Sequence, residues 1–324
     1  MFETRVTKTL GIQYPIIQGA MLYAARAELV SAVSNAGGLG IVVAFTSHTP
    51  EELATELRKI MKMTPNPFAV NIPLIPAIGK VNYDAYIDVI IGEGVKIVET
   101  AAGSPEPYMA RLKSAGIKVI HKCTGLRFAQ KAESVGCDMV VMDGFECAGF
   151  TGEDDVGSLT LVPISAKALN IPVIAAGGFG DGRGLVAALA LGAEAVYMGT
   201  RFFMTKEASV HSRIKERLLT ATERDTAVFC RRYRSSRRLL RNAHSDKLGK
   251  MEMEGATAEE MAPLTVLTRN EKYWNIGDVD EGGLPAGQII GLIDDIPGAK
   301  EVIERIVKEA EGIISSRLQT LVRR

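Results

Sequence analysis

Three polar residues stand at the ends of apolar runs, where their side chains could do chemistry. Asn71 ends the run FAVN, Lys122 ends KVIHK and Asp143 ends MVVMD. An amide both donates and accepts hydrogen bonds, an ammonium group only donates, and a carboxylate only accepts. The set predicts a polar binding site. The alternative is that Asp143 caps a helix and Lys122 pairs with it.

Two glycine-containing turns could hold an anion. The apolar run 171–176 ends in Gly177 and Gly178, and the run 195–198 ends in Gly199 and Thr200. Glycine lets the backbone approach a ligand with no Cβ in between. Free amide N–H groups at such turns, and at the helix starts that follow them, bind phosphate. We therefore expect a phosphate site at these turns.

Short apolar runs alternate with helical patterns from the N-terminus to about residue 202. The predicted strands are 15–18, 40–44, 68–72, 97–100, 118–122, 139–143, 171–176 and 195–198. The predicted helices are 27–35, 51–61, 83–91, 107–114, 127–135, 161–169 and 185–191. The alternation predicts an α/β fold with a parallel sheet, and eight units predict closure into a (β/α)₈ TIM barrel. In such barrels, the last two loops form the usual phosphate site.

The alternative fold is an open, doubly wound sheet. That fold would carry an early G-x-G-x-x-G motif, and none follows the first predicted strand. Gly178, Gly180 and Gly184 match the motif only in part. The barrel is therefore the preferred prediction.

Composition argues against several classes of function. Lysine plus arginine equal aspartate plus glutamate at 38 each, so no overall field favours nucleic acid or an anionic membrane. The four cysteines show no paired metal spacing, so no metal site is predicted. The longest apolar run is interrupted by Glu194 and fits no membrane span. Reduced thiols and a first segment without an apolar leader predict a cytoplasmic protein.

The chain of 324 residues exceeds a bare barrel of about 250 residues, which predicts an added domain. Residues 1–205 and 284–324 are assigned to the barrel. Residues 206–283, which are charged and helical in pattern, are assigned to a smaller, mostly helical domain over the barrel mouth. Six arginines of this domain fall close together: Arg231, Arg232, Arg234, Arg237, Arg238 and Arg241. They form either a solvated helix face or linker, or a cationic rim for a dinucleotide phosphate or an anionic substrate.

The residues at the strand ends together suit flavin mononucleotide, FMN. A flavin needs a flat apolar slot, hydrogen-bonding groups at its pyrimidine edge and a cradle for its phosphate. Asn71 can bond that edge, and Lys122 can stabilise the reduced ring's negative charge near N1 and O2. Ala20 and Met21 can supply backbone and packing surface. The long, acidic, glycine-rich segment 144–155 predicts a functional loop, with a solvated loop that caps the next helix as the alternative.

Several stretches resemble the FMN-dependent nitronate monooxygenase family, formerly called 2-nitropropane dioxygenases, with its NADH:quinone reductase and enoyl-reductase relatives. They are IIQGAM (16–21), AGGLGIV (36–42), NIPL (71–74), HKCTGLRFA (121–129), DGFECAGFTGEDD (143–155), IAAGGFGDGRGLVAALALGA (174–193), MGTRF (198–202) and AGQIIGLIDDIP (286–297). The resemblance implies a barrel with a smaller helical domain over its mouth. It places these residues around FMN: Ala20, Met21, Asn71, Lys122, Asp143, Ala148, Gly149, Gly177, Gly178, Gly199 and Thr200.

One position departs from the family pattern. The family's loop motif ends in a histidine, the proposed base that takes the α-proton of a neutral nitroalkane, and Phe150 stands there instead. Phenylalanine cannot accept a proton, so Phe150 cannot be that base. His121 precedes Lys122 on the same predicted strand, so its side chain should point to the opposite face.

Three functions are compatible with the sequence. The leading hypothesis is an FMN-dependent oxidoreductase that oxidises preformed alkyl nitronates with O2, which requires no base. The alternative is an NAD(P)H-dependent reductase of quinones or activated alkenes, with Phe150 as an apolar wall or stacking partner. A flavinless barrel enzyme that binds a sugar phosphate is the alternative from another class. In each case we expect a small-molecule substrate and a monomer or homodimer.

Overall fold

The computed structural model describes residues 2–75, 81–265 and 271–322. Eight strands form the central parallel sheet, and three short strands form a second, antiparallel sheet. In chain order, the strands are β1 Ile16–Gln18, β2 Gly40–Val43, β3 Phe68–Leu74, β4 Ile97–Ala102, β5 Lys118–Cys123, β6 Met139–Asp143, β7 Gly149–Phe150, β8 Val173–Ala176, β9 Ala195–Met198, β10 Thr226–Phe229 and β11 Arg237–Leu240. The eight strands of the central sheet are the eight predicted from the sequence, with ends shifted by up to two residues.

The central sheet runs in the order β1, β9, β8, β6, β5, β4, β3, β2, so its two edge strands come from the start of the chain. Between these edges, Ile17 makes a single parallel bridge to Leu39. Gln18 completes the contact with its side chain, which accepts from the Ile41 N–H at 3.0 Å and donates to the Ile41 carbonyl at 3.3 Å. The sheet thereby closes into the predicted TIM barrel.

Successive residues of each barrel strand face opposite sides, because side chains alternate along a strand. One set fills the barrel interior: Ile17, Ile41, Ala69, Ile97, Ile120, Met139, Val141, Ile174, Ala176, Ala195 and Tyr197. The other set packs under the surrounding helices and includes Val42, Val70, Val98, Val119 and Val140. Both faces of the barrel strands are therefore buried, which explains the near-continuous apolar runs in the sequence.

Helices follow the barrel strands in regular alternation. Those up to residue 203 are Arg5–Leu10, Ala27–Asn35, Pro50–Met63, Tyr83–Gly92, Glu106–Ser114, Leu126–Ser134, Ser158–Ala168, Gly182–Ala190 and Thr200–Phe203. The seven predicted helices are confirmed, with shifted ends. The Gly182–Ala190 helix begins three residues before its predicted start, because the Asp181 carboxylate accepts from the Gly184 N–H at 2.8 Å and caps its first turn.

The segment 206–283 contains helices and a hairpin in its described part. Its helices are Ser212–Leu219, Ala243–Met253, Ala258–Thr265 and Glu271–Ile276. Strands β10 and β11, which the helical pattern did not predict, pair antiparallel with each other. The chain then returns to the barrel through the helix Ala299–Gly312, which continues as Ile313–Arg317 and Leu318–Leu321. No helix of the described residues is both long and apolar enough to cross a membrane.

Candidate active site

Five side chains converge inside the barrel where the strands end. They come from β3, β4, β5, β6 and β9, each from a position of the interior-facing set: Asn71, Glu99, Lys122, Asp143 and Tyr197. Glu99 has no solvent exposure and Asp143 only 6%, whereas a quarter of the Lys122 side chain is exposed. The structure thus brings together the three polar residues predicted from the sequence.

Glu99 and Tyr197 belong to this cluster and were missed by sequence reasoning. The sequence did contain a signal for Glu99. In the run IVETAA it lies two residues after Ile97, and residues two apart on a strand face the same side, here the barrel interior. Tyr197 reads as an ordinary aromatic residue of a buried strand. Only the closed barrel shows that its hydroxyl reaches the carboxylate.

A directed chain of hydrogen bonds runs through the cluster. The backbone N–H of Ala20 donates to the Tyr197 hydroxyl at 2.7 Å, and this hydroxyl donates to Glu99 Oε2 at 3.1 Å. Asn71 Nδ2 donates to the same carboxylate oxygen at 2.8 Å. Glu99 Oε1 has no hydrogen-bond partner among the described residues. The sequence predicts that the Asn71 amide bonds the pyrimidine edge of FMN. In the structure its N–H donates to Glu99 inside the barrel instead.

Lys122 carries the positive charge of the cluster. Its Nζ lies 3.8 Å from Asp143 Oδ2, so the ion pair considered from the sequence is present, and it lies 5.5 Å from the centre of the Tyr197 ring. Burial would lower the pKa of Lys122, but the nearby carboxylates Asp143 and Glu99 outweigh it and raise that pKa. The ammonium group therefore stays charged at neutral pH and is partly accessible to a ligand over the mouth.

The glycine turns after β8 and β9 form a cradle. Gly177 and Gly178 have φ angles of 84° and 81°, in the left-handed region that favours glycine. At Gly177 a Cβ would lie 2.6 Å from a backbone carbonyl oxygen, whereas at Gly199 it would meet no atom within 4 Å. Gly199 thus borders open space beside Thr200, whose hydroxyl accepts from the Gly287 N–H at 3.1 Å. This space suits the phosphate expected from the sequence.

The loop after β6 carries the remaining predicted residues. Ala20 and Met21, just after β1, and Ala148 and Gly149, in this loop, are all half-buried. Gly149 and the exposed Phe150 form β7, which pairs with β11. The loop is therefore part of the small three-stranded sheet and is not a free solvated segment.

Acidic and backbone groups of the loop bond to the turn before β11. Glu153 accepts from the Ser236 N–H at 3.0 Å and from the Ser236 hydroxyl at 2.6 Å. The Thr151 N–H donates to the Ser236 carbonyl at 3.2 Å. These contacts connect residues more than 80 positions apart in the chain. The Glu153 carboxylate thus attaches the loop to the hairpin.

Three of the six clustered arginines hold the same loop; we call Arg231, Arg237 and Arg238 the arginine clamp. Arg238 donates to the Phe145 carbonyl at 2.9 Å, and its guanidinium lies 4.7 Å from the Phe145 ring centre. Arg231 lies 5.5 Å from the same ring and bonds both carboxylate oxygens of Asp155 at 2.9 Å. A solvated helix face therefore does not describe Arg237 and Arg238, which lie on β11, whereas Arg231, Arg232, Arg234 and Arg241 are exposed.

Phe150 is held by the third member of the clamp. The Arg237 guanidinium lies 4.8 Å from the Phe150 ring centre, within the range of a cation–π contact. Nearly half of Phe150 remains exposed. The position where the family pattern has a base is thus occupied by a fixed aromatic side chain.

His121 does not replace the missing base. It is buried outside the barrel interior, where its Nδ1 lies 2.8 Å from the Thr100 hydroxyl. Burial lowers the pKa of His121 to about 4, so the ring is neutral at neutral pH. The expectation that it points away from Lys122 is confirmed.

A barrel with polar residues and glycine turns at the carboxyl ends of its strands is the architecture of a TIM-barrel enzyme. Residues 3–77 and 75–309 match the family model described as nitronate monooxygenase. The chain therefore belongs to the nitronate monooxygenase family and is an oxidoreductase.

Individual relatives cover nearly the whole chain. A Mycobacterium tuberculosis protein named (3aS,4S,5R,7aS)-5-hydroxy-7a-methyl-1-oxo-octahydro-1H-indene-4-carboxyl-CoA dehydrogenase is 36% identical, over 95% of this chain and 96% of its own. A Staphylococcus saprophyticus protein named "Probable nitronate monooxygenase" is 33% identical, over 97% and 99%. The solved structure of FabK from Thermotoga maritima is 37% identical with a TM-score of 0.92, over 99% and 100%. The similarity thus includes the barrel and the segment after it.

Proposed function

We propose that this chain is an FMN-dependent oxidoreductase that uses NAD(P)H to reduce a small molecule whose double bond is activated by a carbonyl group, with an acyl thioester as the first class to test. The observation that carries the proposal is Phe150, an aromatic residue fixed by Arg237 where the family pattern has a base. Hydride transfer depends on the position of its two partners and needs no base at this residue. The relative that acts on a carboxyl-CoA compound supports the choice of thioester.

The residues at the mouth fit FMN. Open space at Gly199 supports a phosphate site there, and we expect Thr200 and the neighbouring turn of Gly177 and Gly178 to complete it. Lys122 supplies a charge for the pyrimidine edge, and Asp143 holds Lys122 in place. When bound, FMN supplies the hydride-transfer chemistry, and the protein supplies binding, orientation and electrostatics.

The loop residues complete the set. Ala148 and Gly149 are half-buried, and a Cβ at Gly149 would meet no atom within 4 Å, so we expect a flat ring to lie against them. Phe150 offers an exposed aromatic face beside them, which suits a substrate or nicotinamide ring. The clamp fixes the position of that face.

Nitronate oxidation is the second candidate, because the family model and the Staphylococcus saprophyticus relative carry that name. A nitronate is already an anion, so it needs no base to remove a carbon-bound proton. Neutral nitroalkanes do need that step, and a positioned base contributes about 10²–10⁴-fold to such reactions. We therefore expect nitronates to be oxidised far faster than neutral nitroalkanes.

Anaerobic rapid mixing distinguishes the two candidates. The purified protein is first tested for release of FMN on denaturation, and then mixed with NADH or NADPH. The reduced protein is next mixed with an α,β-unsaturated acyl thioester, a quinone or buffer. Fast reduction by NAD(P)H followed by fast reoxidation by the thioester supports the proposal. Reduction by an alkyl nitronate but not by either nicotinamide would favour the second candidate.

The variant Phe150→His tests the assignment of position 150. It should raise kcat/KM for a neutral nitroalkane while changing nitronate oxidation much less. NAD(P)H oxidation should fall only modestly, because only apolar packing is lost. If the wild type turns over the neutral nitroalkane as fast as its nitronate, another base serves the site.

A further inference from the structure

The interior cluster contains more negative than positive groups. Glu99 and Asp143 are the only carboxylic acids among the buried residues of the described chain, and both face the single ammonium group of Lys122. The Glu146 carboxylate, which accepts hydrogen bonds from Ser158, also acts on Asp143 and adds to the negative side. Tyr197, Asn71 and the Cys147 thiol, which face the two acids as well, are neutral. With both acids ionised, the cluster would carry one uncompensated negative charge. An uncompensated buried charge is strongly unfavourable.

The surroundings of the two acids differ. Asp143 has the Lys122 ammonium at 3.8 Å and a little solvent exposure, and both stabilise its ionised form. Glu99 has no solvent exposure and receives both of its hydrogen bonds at Oε2. Its Oε1 has no partner among the described residues, so an ionised Glu99 would leave half of its charge unsatisfied there. The negative charge is therefore placed at lower cost on Asp143.

The hydrogen-bond directions determine where a proton on Glu99 can lie. Because the Tyr197 hydroxyl accepts from the Ala20 N–H, its own proton is free to be donated to Glu99 Oε2. Asn71 donates to the same atom, so Oε2 acts as an acceptor of two hydrogen bonds. This leaves Oε1 as the oxygen that can carry a proton.

We propose that Glu99 is a neutral carboxylic acid at neutral pH, with its proton on Oε1, and that this proton leaves the positive charge of Lys122 available to an anion at the barrel mouth. Glu99 acts through Lys122 and is a positioning residue. With Glu99 neutral, Lys122 and Asp143 balance each other. When Glu99 ionises, the net charge of the cluster becomes negative and an anion over Lys122 is repelled.

The direction of the pKa shifts agrees with this arrangement. Burial raises the pKa of Glu99, and the Lys122 charge only partly offsets that effect. Burial also raises the pKa of Asp143, against the same lysine. Anion binding at the mouth should therefore weaken as pH rises through the pKa of Glu99.

Infrared difference spectroscopy of the protein without cofactor tests the protonation state. Exposed carboxylic acids are ionised at pH 7, so a carbonyl stretch of a neutral carboxylic acid reports a buried one. We expect this band in the wild type and its loss in Glu99→Gln. Absence of the band from the wild type, or its persistence in Glu99→Gln, would overturn the proposal. If Glu99→Gln does not fold, Tyr197→Phe decides: it removes a hydrogen bond to Glu99 Oε2, so the band should move to higher frequency, and an unshifted band would assign it to another group.

FMN binding tests the consequence for Lys122. The dissociation constant is measured by fluorescence titration from pH 6 to 9 for the wild type and Glu99→Gln. The second phosphate ionisation of FMN, near pH 6, is common to both proteins. Wild-type affinity should fall at least tenfold relative to Glu99→Gln across this range, because glutamine cannot ionise. Parallel profiles would show that Glu99 does not control the charge at the mouth. Failure of both proteins to bind FMN would refute the proposed cofactor, while the infrared result would still decide the state of Glu99.

Discussion

Replacing Lys122 by methionine tests how the barrel mouth balances its charges. Methionine keeps most of the side-chain length but removes the ammonium group 3.8 Å from Asp143. The Asp143 side chain is only 8% exposed, so water cannot replace the lost partner. Removal of one partner from a buried ion pair costs about 3–5 kcal/mol. Since a quarter of Lys122 is exposed, we expect the lower end, about 3 kcal/mol, at neutral pH.

The loss should depend on pH in a defined direction. Burial raises the pKa of Asp143 in the folded state, and Lys122 opposes this effect. Without Lys122, the folded-state pKa of Asp143 therefore lies even further above its unfolded value. A raised folded-state pKa gives stability that is full below the unfolded value and is lost as pH rises through the folded value. Lys122→Met should therefore be close to the wild type near pH 4 and increasingly less stable toward pH 8.

Lys118 provides a matched control on the same strand. Its Nζ lies 3.7 Å from Asp138 Oδ1, almost the distance in the Lys122 pair, but nearly half of its side chain is exposed. Exposed pairs contribute about 0–1 kcal/mol, so Lys118→Met should change little. The free energy of unfolding is measured by urea denaturation of both variants and of Lys122→Met/Asp143→Asn, which should recover most of the loss. Equal losses in the two single variants, or a loss independent of pH, would refute the reasoning.

Three further predictions concern the cradle, the clamp and the buried histidine. Gly199→Ala should unfold like the wild type but bind FMN at least tenfold more weakly in a fluorescence titration, because its methyl group enters the open space; Gly177→Ala, with its φ of 84°, should instead fail to fold. Arg238→Met should speed proteolysis of the loop after β6, because an acceptor loses a charged donor worth about 1.5–3 kcal/mol, whereas the exposed Arg232→Met should not. The ring protons of His121 should show no titration in NMR spectra above about pH 5, because its pKa is lowered to about 4.

The barrel was predictable because its signals are local and repeated. Each strand is a short β-branched run, and each ends at the same edge of the sheet, so the residue after a run belongs to the mouth whatever the exact strand order. Asn71, Lys122 and Asp143 could be grouped on this basis. Asn71 still faces the barrel interior although β3 continues for three residues beyond it, because alternate residues of a strand face the same side and Asn71 follows Ala69 at that spacing.

The arginine clamp and the strand pairing beside it could not be predicted in the same way. Its pairing joins the two-residue strand Gly149–Phe150 to Arg237–Leu240, and neither has an alternating pattern long enough to indicate a strand. The six arginines within 231–241 and the acidic sequence GEDD (152–155) suggest charge pairing, but charge alone does not choose among the six arginines. Aromatic partners such as Phe145 become visible only once the hairpin is placed.

The way the barrel closes also orders the assembly of its mouth. Strand β1 is synthesised first, yet its hydrogen-bonded neighbour is β9, about 180 positions later. Its other edge is joined to residues 39–41 by two backbone hydrogen bonds with Leu39 and by the Gln18 side chain. Such distant pairings form late, because the entropy of closing a long loop is paid before they contribute. The bond from Ala20 to Tyr197 crosses this seam, and Gly199 directly follows β9. The pocket is therefore complete only once β1 has paired with β9, and a ligand that binds there stabilises the closed barrel against opening at this seam.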